Sequence, residues 1–330
     1  MGNFFTLVQI ENMKLWKRLS TKVMLIMMIV IVIAATGIFK FYSISNNTSD
    51  ITMVPESWKQ DLQQKLAVGK AQLESLENST DKTSKLLIGS MKKSIAENDY
   101  RINNDIKPES QNNVWTRITK FDTQAGYSSI ISLFLIIACT ALVAGEFSEG
   151  TMKMMISRPY KRYEILTAKL MAIILYGIVL LITTFLMNFI MMGLFFGFNG
   201  LESKEMLWTS RRIIYIPAVL KTLIVFGLDF LQVLVYGIVA FAISAISRSR
   251  SIATGVSLFL LLVGSTLAQT SAVYFSWGKY LPFGMSNFSG IVNTGLCVEG
   301  TTLAYAIGLS AMYSIIFCFA GYLVFEKRDI

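Results

Sequence analysis

Six long blocks of apolar residues, almost free of charge, alternate with short charged strips along this chain. The blocks span residues 23–42, 125–144, 165–198, 219–246, 251–275 and 303–325. A helix needs roughly 20 apolar residues to cross the hydrocarbon core of a bilayer. The pattern therefore predicts an all-α membrane protein with six transmembrane helices, five of them within residues 125–330. The third block is longer than one straight crossing requires, which indicates a tilted helix or one that emerges at the outer face.

Residues 1–22 mix apolar and basic side chains in a pattern that favours an amphipathic helix lying in the cytoplasmic interface of the membrane. Such a helix has an apolar face, a basic face and one tryptophan at headgroup depth. The candidate interface contacts in this strip are Glu11, Lys14, Trp16, Lys17 and Arg18. The alternative is an ordinary flank of the first span.

Residues 43–124 form the one sizeable polar stretch of the sequence. Leucines and other apolar residues recur in it at roughly helical spacing, with a turn expected at residues 78–81. The spaced residues are Leu62, Leu66, Leu73, Leu76, Leu87, Met91 and Ile95. We predict an amphipathic helical hairpin between the first and second spans. It is either a linker with no ligand of its own, or a lid, a sensor or a docking site for a partner.

The distribution of Lys and Arg predicts the orientation of the spans. The net charge is +9, and the cations cluster before the first span, between the second and third, between the fourth and fifth, and after the sixth. Cytoplasmic loops carry such an excess, so both termini are expected in the cytoplasm, with residues 43–124 outside the bacterial inner membrane. Arg211, Arg212 and Lys279 count against this orientation but are fewer. Because the cations lie at the ends of apolar blocks, they indicate topology in a lipid bilayer and argue against nucleic-acid binding.

Composition excludes most chemistry within this chain. There is no histidine, and no pair among the three cysteines has the spacing of metal ligands, so no metal site is expected. The nearest approach to a phosphate-binding loop, Gly290 to Gly295, is followed by Leu296 and Cys297 where Lys and Ser or Thr would be needed. No predicted cytoplasmic stretch is large enough for an ATPase domain. We therefore expect a chain that is not an enzyme and binds no cofactor itself.

The predicted cytoplasmic loop 145–162 is too short for a domain but has a distinct pattern. Ser148 or Thr151 can cap a short helix, methionines give it an adaptable apolar face, and Pro159 ends it. A short helix of this kind suits docking to another protein. The candidate docking residues are Glu146, Glu149, Gly150, Thr151, Met154, Met155, Arg158, Pro159 and Arg162.

This loop is similar to the signature of type-2 ABC exporter permeases. The matching positions are Glu146, Glu149-Gly150-Thr151, Arg158-Pro159, Arg162 and Lys169. The resemblance implies a separate ATPase subunit, which binds ATP and Mg and receives loop 145–162 in a groove. It also implies a second ATPase contact around residues 11–18, and a second permease copy or a homologous permease that completes the translocation path. The roughly 80 residues after the first span depart from many family members and leave the cargo open, with a peptide, an antibiotic or a lipid-like molecule favoured.

A few polar residues lie within the predicted spans or close to their outer ends. Asp229, with Gln232 three residues later, is a candidate for the translocation path or for a proton site, and Asn188 is a weaker one. The alternative is a structural hydrogen bond between helices. Residues 277–302, rich in Gly, Phe and Trp, are expected to dip partly back into the outer leaflet, and the resemblance implies that they cap the path. Two other functions stay open: a gradient-driven transporter that uses Asp229, and a sensor or scaffold built on residues 43–124.

Overall fold

The structure, a computed structural model, describes residues 4–45, 57–79, 86–108, 113–150, 160–209, 212–295 and 301–327. The helices are α1 (Phe4–Lys17), α2 (Leu19–Ser45), α3 (Trp58–Glu77), α4 (Leu86–Asn103), α5 (Val114–Ala125), α6 (Tyr127–Leu142), α7 (Ala144–Ser148), α8 (Arg162–Phe196), α9 (Ala218–Ser247), α10 (Arg250–Phe259), α11 (Ser265–Tyr274), α12 (Phe288–Thr294) and α13 (Leu303–Lys327). A π-helical stretch (Leu260–Gly264) joins α10 to α11, and a 3₁₀ turn (Gly278–Tyr280) follows. The strands are β1 (Lys204–Trp208) and β2 (Ile213–Pro217).

Six helical segments of the described chain are long and apolar enough to cross a membrane. They are Leu19–Ser43, Tyr127–Ser148, Arg162–Phe196, Ala218–Ser247, Arg250–Tyr274 and Leu303–Lys327. Every end lies within four residues of the end predicted from the hydrophobic pattern. The expectation of a multi-pass membrane protein with six apolar helices is therefore confirmed.

The most buried helices of the bundle are α6 and α9, which pack closely against each other. Their close contact requires a glycine at position 237, because a Cβ added there would lie 2.8 Å from a methyl group of Leu135. A similar approach joins α9 to α13, where a Cβ on Gly321 would lie 3.1 Å from the Cα of Ala242. Small residues let helices approach closely in membranes, where packing provides much of the association energy.

The second span is preceded by α5, which packs on α8, α9 and α12. The side chain of Asn113 caps α5 by accepting a hydrogen bond from the backbone N–H of Trp115 at 2.9 Å. Gly126, at φ 65°, ends α5 in the left-handed conformation, and α6 begins one residue later. This turn places Asp122 against the transmembrane bundle, although it precedes the predicted second span.

The sequence analysis missed a small sheet between the third and fourth spans. Strands β1 and β2 are antiparallel, with a register that runs from Lys204 opposite Pro217 to Trp208 opposite Ile213. The segment Ile213–Pro217 is rich in β-branched and aromatic residues, which favour strands. The sequence analysis did not separate this strand signal from the adjacent fourth apolar block. The all-α prediction therefore holds for the spans but not for the connection between the third and fourth spans.

Helices α3 and α4 pack against each other. Gly69 allows the approach, since a Cβ there would lie 3.3 Å from Ile95. The buried face differs from the predicted one in one respect: Leu87 is 50% exposed, whereas its neighbour Ile88 is 5% exposed. The expected turn at residues 78–81 lies partly outside the described residues.

The segment predicted to cap the path, residues 277–302, is well packed where it is described. Phe283 and Phe288 are buried, and the ring of Phe283 stacks on that of Tyr236 with centroids 5.4 Å apart. Helix α12 contacts α5, α9 and α13. The segment is therefore part of the packed bundle and not a solvated loop. Residues 296–300 lie outside the described chain.

Candidate functional site

Four charged side chains from three helices meet at one end of the bundle. Glu11 and Lys14 come from α1, Glu146 from α7 and Lys169 from α8. The Nζ of Lys169 lies 2.7 Å from a carboxylate oxygen of Glu11 and 2.6 Å from one of Glu146. The Nζ of Lys14 reaches the remaining oxygens, at 2.7 Å from Glu11 and 3.2 Å from Glu146. We call these four residues the Glu146 cluster.

The spacing in α1 explains how Glu11 reaches the cluster. Leu7, Glu11 and Leu15 are four residues apart and form the buried face of the helix. Leu7 packs on Ile165 and Ala168 in the first turns of α8. Lys14 lies three residues after Glu11 on the same side, so both side chains point toward α7 and α8. One amphipathic face thus carries apolar residues at its ends and a carboxylate in its middle.

The Glu146 cluster is balanced in charge and deeply buried. It has two carboxylates and two ammonium groups, and Lys169 and Glu11 are fully shielded from solvent. Burial by itself would raise the pKa of Glu11, but Lys169 and Lys14 outweigh it and hold that pKa below its ordinary value. A buried charge is tolerated only when it is paired and hydrogen-bonded. Each member of the cluster therefore depends on the others.

Helix α7 is connected to several spans at once. Besides the contact of Glu146 with α1 and α8, the ring of Phe147 lies edge-on to Phe325 of α13 at 5.9 Å. The guanidinium of Arg248, in the turn between α9 and α10, lies 5.5 Å from the same ring. Ser148 contacts that turn as well, donating to the carbonyl of Arg248 at 3.4 Å. A displacement of this short helix therefore acts on four other elements.

The rest of the predicted N-terminal contact strip also faces the bundle. Arg18 donates to the carbonyl of Ala141 at 2.8 Å and so satisfies an acceptor in the last turn of α6. Trp16, expected at headgroup depth, is half-buried with its ring 5.8 Å from that of Tyr176 in α8. Lys17 is exposed. Together with Glu11 and Lys14, four of the five predicted residues thus contact other helices of the same chain, and Lys17 is the exception.

The predicted docking loop is described at its two ends. Glu149 and Gly150 are exposed just after α7, and Gly150 has φ 70°, which favours glycine. Arg162 begins α8 and donates to the carbonyl of Glu326 at 3.4 Å. The remaining predicted residues lie outside the described chain: Thr151, Met154, Met155, Arg158 and Pro159. Glu146, by contrast, is 4% exposed, so its carboxylate faces the bundle.

Lys169 was named in the sequence motif but not as a site residue. The available signal was a single lysine seven residues inside an otherwise apolar helix. A lysine in such a position is rare and needs a partner. Its partners, Glu11 and Glu146, are 158 and 23 positions away in sequence. No spacing rule connects residues at those distances.

Asp229 lies beside a second buried carboxyl that the sequence analysis did not single out. It accepts a hydrogen bond from Ser289 at 2.6 Å, and its carboxyl faces that of Asp122 in α5. Both residues are at most 3% exposed. Two carboxylates this close in a buried site repel each other, and a proton on one of them would relieve that repulsion. Asp229 is thus hydrogen-bonded to Ser289 of another helix, and together with Asp122 it is a candidate site for a proton.

The other two intramembrane candidates, Asn188 and Gln232, lie apart from each other. Phe185 of α8 contacts Phe226 of the antiparallel helix α9 at 4.8 Å. At 1.5 Å per residue this pairing separates Asn188 and Gln232 by roughly 13 Å along the helix axes. Both are buried, and among the described residues neither amide atom of Asn188 has a hydrogen-bond partner. The described chain also contains no group of three or more His, Cys, Asp or Glu suited to a metal ion.

Comparisons with known proteins extend over most of this chain. A family model described as "Protein of unknown function (DUF2705)" matches residues 85–330, which include Glu146 and Lys169 but not Glu11 or Lys14. Uncharacterized protein YhcI of Bacillus subtilis (strain 168) is 28% identical over 326 residues, 98% of each chain. Uncharacterized membrane protein YdbK of the same organism is 27% identical over 202 residues, 60% of this chain and 77% of that protein. The chain is therefore a multi-pass membrane protein that belongs to the DUF2705 family.

Proposed function

We propose that this protein is the transmembrane permease subunit of an ATP-driven exporter of the type-2 ABC class. The observation that carries the proposal is the Glu146 cluster, in which a short helix after the second span is bonded to the N-terminal helix and to the third span. A permease driven by a separate ATPase needs such a connection between its docking segment and its spans. The similarity of loop 145–162 to the signature of these permeases supports the same function.

In the proposed mechanism, the partner ATPase binds loop 145–162, in which Glu149 and Gly150 are exposed. ATP and Mg are held by that partner. Its movement displaces α7, and the bonds of Glu146 to Lys14 and Lys169 transmit the displacement to α1 and α8. Glu146 thus acts inside the permease as a positioning residue. A second copy of this chain, or a homologous permease, completes the path for an amphipathic cargo.

The proposal includes an orientation in a bacterial inner membrane. The N-terminal helix, α7 and both termini face the cytoplasm, whereas α3, α4, the two strands and α12 face outward. The excess of Lys and Arg at the α7 end supports this orientation. Phe5, which is 84% exposed in the first turn of α1, suits contact with the lipid interface.

The test is purification of the tagged protein from its native cells, with identification of bound chains and an ATPase assay. We expect a stoichiometric partner with a phosphate-binding loop. Glu149→Lys should reduce its recovery at least about tenfold, since it reverses an exposed charge at the proposed contact. Glu202→Lys is the matched control, because it makes the same exposed charge change at the other end of α8. Absence of an ATPase partner, or equal recovery with both variants, would contradict the proposal.

A second candidate function is transport driven by a proton gradient, and the pair of Asp122 and Asp229 is the observation that favours it. A buried carboxyl pair that shares one proton can release and rebind it as its surroundings change. The purified chain alone, in vesicles with an imposed pH gradient, should then conduct protons. Asp229→Asn should abolish that flux. If the vesicles with the purified chain conduct no protons, proton-driven transport is excluded.

A further inference from the structure

A charged cavity of about 360 Å³ lies between α4 and the end of the bundle opposite the Glu146 cluster. Helices α4, α5, α9 and α12 and both strands contribute to its wall. Its charged residues are Lys93, Glu97, Arg101, Lys120, Lys204, Glu205 and Lys221. We call it the basic cavity. Its volume lies in the range of roughly 300–1,000 Å³ that is usual for small-molecule sites.

The basic cavity holds more positive than negative charge, with five cations facing two carboxylates. Both carboxylates are already paired. Glu205 binds Lys221 at 2.8 Å, and Glu97 lies 3.7 Å from Lys93. Within the described part of the chain, the remaining cations have no carboxylate partner. They are Arg101, Lys120 and Lys204.

The cations of the cavity are close enough to oppose each other. Burial lowers the pKa of Lys93 and, although Glu97 opposes this, Lys221 lowers it further. Partial desolvation in the cavity wall lowers the pKa of Lys120 as well, although part of this side chain is exposed; Lys221 and Arg101 add to the effect, and Glu205 and Glu97 oppose it. Like charges in a partly desolvated space are unfavourable for folding. An anion in the cavity would relieve this repulsion.

Besides Lys221, which binds Glu205, and Arg101, which donates to the carbonyl of Lys107 at 3.4 Å, Lys93 is held by two backbone carbonyls. The Nζ of Lys93 donates to the carbonyl of Val292 at 3.0 Å and to that of Asn293, both in the last turn of α12. A positive charge at a helix C-terminus stabilises the helix, and this contact of Lys93 also connects α4 to the bundle. A ligand would therefore be held mainly by the three cations without a carboxylate partner.

We propose that the basic cavity binds a phosphate-bearing group through Arg101, Lys120 and Lys204. A guanidinium fork suits phosphate oxygens, and lysines bind them as point charges. A phosphate group carries about 1.5 to 2 negative charges at neutral pH, which offsets most of the surplus. The phosphate belongs either to a soluble phosphate compound or to a lipid headgroup. Because Arg101 lies on α4, Lys120 on α5 and Lys204 on β1, the ligand links the α3–α4 pair to the bundle.

The experiment uses the full-length chain in phosphatidylcholine nanodiscs and does not involve the ATPase partner of the proposed function. Inorganic pyrophosphate is titrated by calorimetry, and a parallel set of nanodiscs contains phosphatidic acid. We expect saturable binding or a raised unfolding temperature in at least one of the two sets. Lys120→Gln with Lys204→Gln should weaken the effect at least about tenfold, because two charged contacts are lost. The double control Lys65→Gln and Lys70→Gln removes the same charge from the exposed side of α3.

The two ligand sets identify the source of the phosphate. Binding of pyrophosphate indicates a soluble ligand, and stabilisation by phosphatidic acid alone indicates a lipid headgroup. Without ligand, Lys120→Gln with Lys204→Gln should unfold at a higher temperature than the parent chain, since it removes repulsion. The proposal fails if neither pyrophosphate nor phosphatidic acid binds or stabilises the protein. It also fails if Lys65→Gln with Lys70→Gln weakens the ligand effect as much as Lys120→Gln with Lys204→Gln.

Discussion

The ammonium of Lys169 lies 2.6 Å from the carboxylate of Glu146, and both side chains are buried. This contact joins α7 to the third span. Glu11 completes it from a third helix at 2.7 Å from the same ammonium. The sequence resemblance implies that Glu146 acts on the partner. The structure adds that its carboxylate is bonded within the chain.

We expect Glu146→Gln to destabilise the protein by about 3 kcal/mol, because it leaves a surplus positive charge in a buried cluster. Lys169→Met should cost a similar amount by leaving a surplus negative charge. The double variant restores the balance and should cost less than the sum of the two single changes. Unfolding temperature in detergent measures all three, with exposed Glu149→Gln as the control. Simple additivity of the two single effects would contradict coupling within the cluster.

Acid should destabilise the protein through Glu11. Its pKa is lowered in the folded state, so the stability it contributes is fully present above the unfolded-state pKa. That contribution is lost as the pH falls through the lower, folded-state pKa. Unfolding temperatures recorded from pH 7 down to pH 3 should therefore fall more steeply for the parent chain than for Glu11→Gln. Parallel curves would show that this carboxylate is not paired when folded.

Asp122→Asn and Asp229→Asn should each change stability by less than about 1 kcal/mol, because an amide can replace the protonated member of a hydrogen-bonded carboxyl pair. Asp229→Leu should cost more, since it leaves Ser289 and Asp122 without their partner. Unfolding in detergent compares the three variants. A loss of several kcal/mol in both Asn variants would show that the pair does not share a proton.

Gly237 and Gly227 offer a matched test of helix packing within α9. A Cβ at Gly237 would lie 2.8 Å from Leu135, whereas nothing lies within 4 Å of one at Gly227. We expect Gly237→Ala to destabilise by about 1–3 kcal/mol through overpacking. Gly227→Ala should be neutral or stabilise by up to about 1 kcal/mol through helix propensity. Equal effects at both positions would contradict the close approach of α6 and α9.

Single cysteines should report the proposed orientation. In a chain whose native cysteines are replaced, Lys65→Cys on α3 should react with a membrane-impermeant maleimide in intact cells. Glu149→Cys, just after α7, should react only after the cells are permeabilised. Both positions are exposed, so access to the thiol depends on the side of the membrane. The reverse pattern of labelling would show that the protein has the opposite orientation in the membrane.

The elements of the fold were largely predictable from local composition. The bounds of α8, α9 and α13 follow the apolar blocks because a lipid-spanning helix satisfies its backbone hydrogen bonds within one continuous segment. The strand pair at residues 204–217 was missed, since its β-branched run adjoins the fourth apolar block. The sequence analysis also predicted that Leu87 is buried in α4, whereas the structure buries Ile88 instead. A shift of one residue rotates a helix face by about 100°, which apolar spacing alone resolves poorly.

By itself, the sequence determined that this is a multi-pass membrane protein with six apolar helices and a patterned loop after the second of them, because hydropathy is a property of each segment alone. Only the tertiary structure decided that Lys169 pairs with Glu11 and Glu146, and that Asp229 faces Asp122. These pairings depend on the rotation and depth at which separate helices pack. A charged residue within an apolar span indicates that a partner is needed, but the packing of the helices determines which residue that partner is.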